Sequence, residues 1–217
     1  MTEPTFLRAT RTSYDRVAAD YAERARTELG NKPLARAMLT AFAEYVRDAG
    51  GGPVAEVGCG PGYVTAHLRE LGLDAFGVDL SPEMVALARR DHPGVRFDEG
   101  VMGDLDAADG SLAGLVAWYS VIHVPPEQLP EVFDEFHRVL APGGSLLLAF
   151  QVGDEVLHLE EAFGREISLD FHRLLPDRVT GQLERAGFAM RARLVREPDA
   201  TDPTKIPQAH LLAYRGR

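Results

Sequence analysis

The chain has 217 residues, enough for one domain with a sizeable core. Hydrophobic residues make up 45% and charged residues 26%, ordinary values for a globular protein, and 23 Lys and Arg against 33 Asp and Glu leave a net charge of −10. That acidic balance, with no basic run, excludes nucleic acid and anionic membrane surfaces as expected partners. No apolar stretch approaches the roughly 20 residues that span a bilayer. The amino-terminal run MTEPTFLRATRTSYD shows no signal-type apolar region. A single cysteine, Cys59, allows no intrachain disulfide, so a cytoplasmic location is expected.

In chain order, SYDRVAADYAERAR repeats Tyr14, Val17, Ala18, Tyr21 and Ala25 at helical spacing, with Ser13 as the expected cap. LARAMLTAFAEYVRDAG reads as a second amphipathic helix ending at Gly50. From there strands and helices alternate. PVAEVG predicts a buried strand, followed by a helix over 63–71, and DAFGVDL a second strand. SPEMVALARRD predicts a helix with Ser81 as cap and Pro82 in its first turn. GVRFDEG is a weaker strand and LAGLVAWYSVI a strong one. EQLPEVFDEFHRVL aligns Leu129, Val132, Phe133, Phe136, Val139 and Leu140 on one face; APGG then stops the helix before the strand SLLLAFQV. This alternation predicts a doubly wound, mostly parallel α/β sheet with helices on both faces. After a helix near PDRVTGQLERAG, the strands FAMRARLVRE and QAHLLAYR are separated by about ten residues, too few for a helical crossover. The last strand is therefore expected to run antiparallel.

Ligands of such sheets gather at the carboxyl ends of the strands, where the first strand meets the turn Gly58-Cys59-Gly60-Pro61-Gly62. A dinucleotide fingerprint needs glycine at position 63, which is Tyr63, and a P-loop needs a lysine that is absent. The spacing present is E-x-G-x-G-x-G, from Glu56 to Gly62. Asp79 follows 19 residues beyond Gly60, where an ionised carboxylate can accept from two vicinal ribose hydroxyls. That spacing alone also suits NAD.

With these motifs the chain resembles the class I S-adenosylmethionine-dependent methyltransferases, well over residues 40–150 and elsewhere in topology only. The resemblance implies a Rossmann-like, seven-stranded sheet in a single domain, 1–217. Within it, 1–49 form a helical lid, 50–150 the cofactor core, 151–175 a substrate cover expected to include a small strand or hairpin, and 176–217 the final helix and hairpin. It implies S-adenosyl-L-methionine as cofactor, with Glu56, Gly58 and Gly60 at its amino-acid end and Asp79 at its ribose. An aspartate common in the family after the third strand is replaced by Val101. The adenine contacts then fall to Val101 and Met102, with Leu80 and Met84 on the ribose–adenine side, although a shifted register would put Asp104 there. Tyr119 and Ser120 are expected cofactor contacts, and Tyr14 and Tyr21 resemble lid tyrosines. Both tyrosines also read as core packing.

A sulfonium methyl group is already electrophilic, so the protein's main task would be alignment, with a base needed only for a protonated nucleophile. His123, beyond the fourth strand, is the catalytic candidate; its alternative is a structural histidine bonded to the loop backbone. His158, Glu160, Arg165 and His172 lie in the cover segment and read first as solvated or structural. His158 with Glu160 lacks a third ligand, so no metal is expected. Cys59 reads as a space-filler, and His67, His92 and His137 carry no assigned role. The expected acceptor is a compact metabolite methylated on oxygen, nitrogen, sulfur or activated carbon, by a monomer or homodimer. The alternatives are an NAD(P)-dependent oxidoreductase on a similar sheet and a cofactor-binding protein without transfer activity.

Overall fold

The computed structural model describes residues 3–27, 29–198 and 205–216. Helices α1 (Thr5–Ala25) and α2 (Pro33–Asp48) precede the alternating core. The core runs β1 (Pro53–Val57), α3 (Tyr63–Glu70), β2 (Asp74–Asp79), α4 (Pro82–Asp91), β3 (Phe97–Glu99), β4 (Leu112–Trp118), α5 (Leu129–Val139) and β5 (Leu140–Gln151). A hairpin of β6 (Val156–Ala162) and β7 (Arg165–His172) follows, then α6 (Pro176–Arg185), β8 (Phe188–Arg196) and β9 (Gln208–Arg215). Residues 199–204, most of the connection between the last two strands, lie outside the described residues.

The main sheet has seven strands in the order β3-β2-β1-β4-β5-β9-β8. β1 to β5 pair in parallel, and β9 inserts antiparallel to both β5 and β8, as its short connection requires. The order reverses at β1, where β2 and β4 flank it, so the crevice beside the glycine turn is the topological switch point. One face is covered by α5 and α6, which bury Phe133, Phe136, Leu183 and their neighbours against the strands. On the other face Leu39, Phe42, Ala43 and Val46 of α2 pack with Leu68 of α3. The helical periodicity of EQLPEVFDEFHRVL thus becomes a fully buried stripe.

One local feature departs from the sequence reading. The first helix begins at Thr5, so Ser13 is an interior residue and not a cap. Ser13 is buried, and its hydroxyl accepts from the Ser168 amide and donates to the Ser168 carbonyl, both at 3.0 Å. A hydroxyl that would cap an isolated helix has found a strand to bond instead. Segment 151–175 holds a separate two-stranded sheet, β6–β7, joined by a tight turn at Phe163 and Gly164. Along β7 the alternation turns Ile167 and Leu169 inward to meet Val17, with Tyr14, Tyr21 and Phe171 packed alongside. The hairpin and α1 bury one another's apolar faces.

Candidate functional site

The turn between β1 and α3 is built by backbone geometry that side chains resist. Gly58 has φ +69°, and a Cβ there would lie 2.3 Å from Cβ of Ser120. Gly60 has φ +51° and faces Tyr21 across the cavity, so a side chain would take up ligand space. The turn is tied down from β2: the Gly58 and Cys59 amides donate to the Val78 carbonyl, and the Gly60 amide donates to Oδ2 of Asp79 at 2.6 Å. The other carboxylate oxygen of Asp79 accepts from the Ser81 amide at 2.9 Å. Each oxygen keeps a second lone pair, so the carboxylate can still accept from a ligand. Burial pushes the Asp79 carboxyl up to about 6, against the pull of the Ser81 and Gly60 amides.

Beneath this turn Glu56 is 2% exposed and receives a hydrogen bond from the Thr65 hydroxyl. Burial raises its carboxyl to about 8, so near neutral pH it is largely protonated. Cys59 is buried against Gly77, and burial likewise pushes its thiol up, which favours packing over nucleophilic chemistry.

Helix α1 closes the site from above. The Asp15 carboxylate accepts from the Ser81 hydroxyl at 2.5 Å, at the start of α4, and the Arg11 guanidinium donates to the Leu80 carbonyl at 3.1 Å. On its other side α1 is held by the Ser13–Ser168 pair and by Arg16, which donates to the Glu166 carbonyl at 2.9 Å. The helix therefore bridges the end of β2 and the β6–β7 hairpin over a cavity that opens to solvent.

His123 lies in a 3₁₀ turn just past β4. Its Nδ1 is 2.9 Å from the Asp170 carbonyl oxygen, and its Nε2 is 2.8 Å from the Tyr14 hydroxyl. A carbonyl only accepts, so Nδ1 carries the hydrogen; Nε2 is then the acceptor and Tyr14 the donor. Burial lowers the imidazole to about 4, keeping it neutral, and raises the Tyr14 phenol. Phe171 and Tyr14 both meet the imidazole edge-on, with ring centroids 4.8 and 5.3 Å away.

The cavity is lined by Tyr14, Tyr21, Gly58, Gly60, Asp79 and Leu80, and also by Met84, Val101, Met102, Tyr119, Ser120 and His123. Twelve of the thirteen residues singled out from sequence thus meet around one space; Glu56 stands outside it. Asp104 is exposed and does not line the cavity. In the hairpin His158, Glu160 and Arg165 are exposed; His158 pairs with Asp170 at 2.6 Å and Arg165 with Asp20 at 3.2 Å. His172 lines a smaller separate cavity with Arg173 and Arg178. Among the described residues no three His, Cys, Asp or Glu side chains group as metal ligands, and no helix is long and apolar enough to cross a membrane.

Sequence reading missed Phe6, Leu7, Thr10 and Arg11, all lining residues from the first turns of α1. The signal was present, because Phe6, Thr10 and Tyr14 continue the helical stripe backwards. It also missed Trp118, which ends β4 and packs edge-on to Tyr119 with centroids 5.8 Å apart. Tyr119 itself has φ +54°, a costly conformation for a side-chain-bearing residue, and its amide donates a hydrogen bond to the Ala149 carbonyl at 2.9 Å.

In this chain residues 54–144 match the family model described as a methyltransferase domain. It is 30% identical over 137 residues to a demethylmenaquinone methyltransferase of Chlorobaculum parvum, covering 63% of this chain and 54% of that protein. It is 31% identical over 136 residues to a malonyl-[acyl-carrier protein] O-methyltransferase of Pectobacterium atrosepticum, covering 57% and 53%. The chain thus spans about half the length of these curated relatives. Among solved structures it resembles the 1,6-didemethyltoxoflavin-N1-methyltransferase of Burkholderia thailandensis, with TM-score 0.71, 20% identity and coverage of 100% and 92%. At that identity the likeness is one of fold.

Proposed function

We propose that the protein transfers a methyl group from S-adenosyl-L-methionine to a compact acceptor, on oxygen, nitrogen, sulfur or activated carbon, without a metal. One observation carries this reading: a single cavity joins the glycine turn and Asp79 to His123 under α1. The residues present fit the cofactor. Gly58 and Gly60 leave room at the turn for its amino-acid end, while buried Glu56 holds that turn from below through Thr65. Asp79 retains lone pairs for the ribose hydroxyls. Leu80, Met84, Val101 and Met102 offer the adenine an apolar slot, and Tyr119 and Ser120 border the remaining part. When bound, the cofactor supplies an electrophilic methyl group on a sulfonium.

The chain's own groups do the rest. α1 with Tyr14 and Tyr21, and the hairpin behind it, exclude water, while His123 serves the acceptor side. In this reading 1–49 act as lid, 50–150 as cofactor core, 151–175 as cover and 176–217 as the final helix and hairpin of a single domain. The net charge of −10 is consistent with a small-molecule partner rather than nucleic acid, and with a cytoplasmic monomer or homodimer. Calorimetry with S-adenosylmethionine and S-adenosylhomocysteine tests the binding, and no heat at millimolar cofactor overturns it. Release of S-adenosylhomocysteine in an acceptor screen separates an enzyme from a protein that only binds.

A further inference from the structure

We propose that Tyr14, carried on the covering helix, is the group that meets the acceptor, that His123 stands behind it as a fixed proton acceptor, and that the pair serves an uncharged acceptor bearing a hydroxyl.

This inference rests on the methyl-transfer reading and adds to it a division of labour. Both ring nitrogens of His123 are engaged, Nδ1 by the Asp170 carbonyl at 2.9 Å and Nε2 by the Tyr14 hydroxyl at 2.8 Å. The imidazole therefore cannot take a proton directly from an acceptor without first losing Tyr14. The Tyr14 oxygen has given its only hydrogen to Nε2 and keeps lone pairs, and both residues line the cavity. An incoming hydroxyl finds the tyrosine oxygen as the acceptor for its hydrogen. As the nucleophile loses its proton, the electron pair of the O–H bond stays on the nucleophile's oxygen. The proton moves to Oη of Tyr14, and Tyr14's own proton moves to Nε2 of His123. The imidazolium so formed is disfavoured where it is buried, so it sheds its proton to water once α1 lifts. The groups facing the pair are Tyr21 on α1, Asp79 at the end of β2, and Asp170 and His172 on β7.

The lining also points to an uncharged acceptor. Among the described residues Arg11 and Asp79 are its only charged members. Arg11 is already bound to Glu3 at 2.6 Å and to the Leu80 carbonyl, and Asp79 would repel an anion. The other walls include Phe6, Leu7, Trp118 and Val124, which suit an apolar or planar body.

The test uses the full chain, labelled with ¹⁵N at histidine and saturated with S-adenosylhomocysteine, with phenol as probe and benzoate as its charged counterpart. At pH 7 His123 should be the neutral Nδ1–H tautomer, and phenol should move its Nε2 resonance. In Tyr14→Phe, which keeps the ring, Nε2 should shift toward an unbonded nitrogen and the response to phenol should be lost. Affinity for S-adenosylhomocysteine should stay within about threefold, since no charged contact is removed. Turnover of any hydroxyl acceptor should fall about 100-fold, the lower end of what positioned proton transfer contributes. An Nε2–H tautomer, an imidazolium, or an unchanged phenol response in Tyr14→Phe overturns the relay. A phenol that leaves Nε2 unmoved in the wild-type protein, or benzoate bound as well as phenol, overturns the acceptor class. If S-adenosylhomocysteine itself fails to bind, the cofactor reading falls, while spectra of the ligand-free protein still decide the tautomer.

Discussion

The Gly60 amide donates to Oδ2 of Asp79 at 2.6 Å across 19 residues of sequence, which makes the glycine turn and the end of β2 one unit. The acid that is expected to read the ribose also holds the loop expected to cradle the other end of the ligand. Asp79→Ala should therefore weaken S-adenosylhomocysteine binding by at least about tenfold, through lost charge-assisted hydrogen bonds and a loosened turn. Asp79→Asn, which keeps the shape, should lose less. Calorimetry on the three proteins checks this; equal affinities would remove Asp79 from the site.

The same residue predicts a pH dependence. With its carboxyl raised to about 6, Asp79 is ionised at pH 7.5 and protonated at pH 5. The anion is the better acceptor for hydroxyls, so cofactor affinity should fall as pH drops through 6. Asp79→Asn should abolish that fall. Titrations at pH 7.5 and 5.0 measure it.

Glu56 predicts a trend in stability with the opposite use of charge. Its folded-state carboxyl is raised from 4.5 to about 8, so its favourable contribution is full below the unfolded value and is lost as pH rises through 8. Glu56→Gln has no charge to bury and should gain stability relative to the wild type between pH 5 and pH 8.5. Melting temperatures of the ligand-free proteins should diverge by several degrees over that window, at roughly 2–4 °C per kcal/mol for a chain of this size. Parallel curves would show that Glu56 stays ionised.

At Gly58 the conflict is steric. Gly58→Ala puts a Cβ 2.3 Å from Cβ of Ser120 at φ +69°, and should destabilise the protein by more than about 1 kcal/mol. Ser120→Gly in the same chain removes the clash but not the strained φ, and gives up the Ser120 hydroxyl bond to the Val57 carbonyl at 2.7 Å. It should restore part of the loss. A double-mutant cycle by urea denaturation shows the coupling, and strict additivity would place the cost elsewhere.

Asp15 fastens the covering helix to the start of α4 through Ser81. Asp15→Ala should leave the sheet intact but speed amide exchange across α1, because the helix loses its bond to the start of α4 and keeps only Arg11 on that side. Cofactor dissociation should quicken with it. Hydrogen exchange that changes only in β1 and β2 would show that α1 is held by the hairpin alone.

Much of this is legible in the sequence itself. Regular alternation gave away the strands and helices, because a buried parallel strand must be apolar and a covering helix must be amphipathic. The ten-residue limit on the last connection forced β9 to run antiparallel, and the glycine spacing marked the turn. Those are short-range constraints, written within a few residues of where they act.

The tertiary structure decided what depends on meetings between distant segments. Ser13 reads as a cap, yet it bonds Ser168, 155 residues away, because a buried hydroxyl must find a partner wherever the chain supplies one. Glu56 reads as a ligand contact, yet it lies under the turn, where burial and Thr65 govern it. His123 is placed by its position after β4, but its tautomer and its partner are set by Asp170 on the hairpin and Tyr14 on the first helix. Sequence by itself thus determined the sheet, its switch point and the place of the glycine turn. Only folding brought α1 and the hairpin together over His123, since a hydrogen bond is local in space and indifferent to separation along the chain.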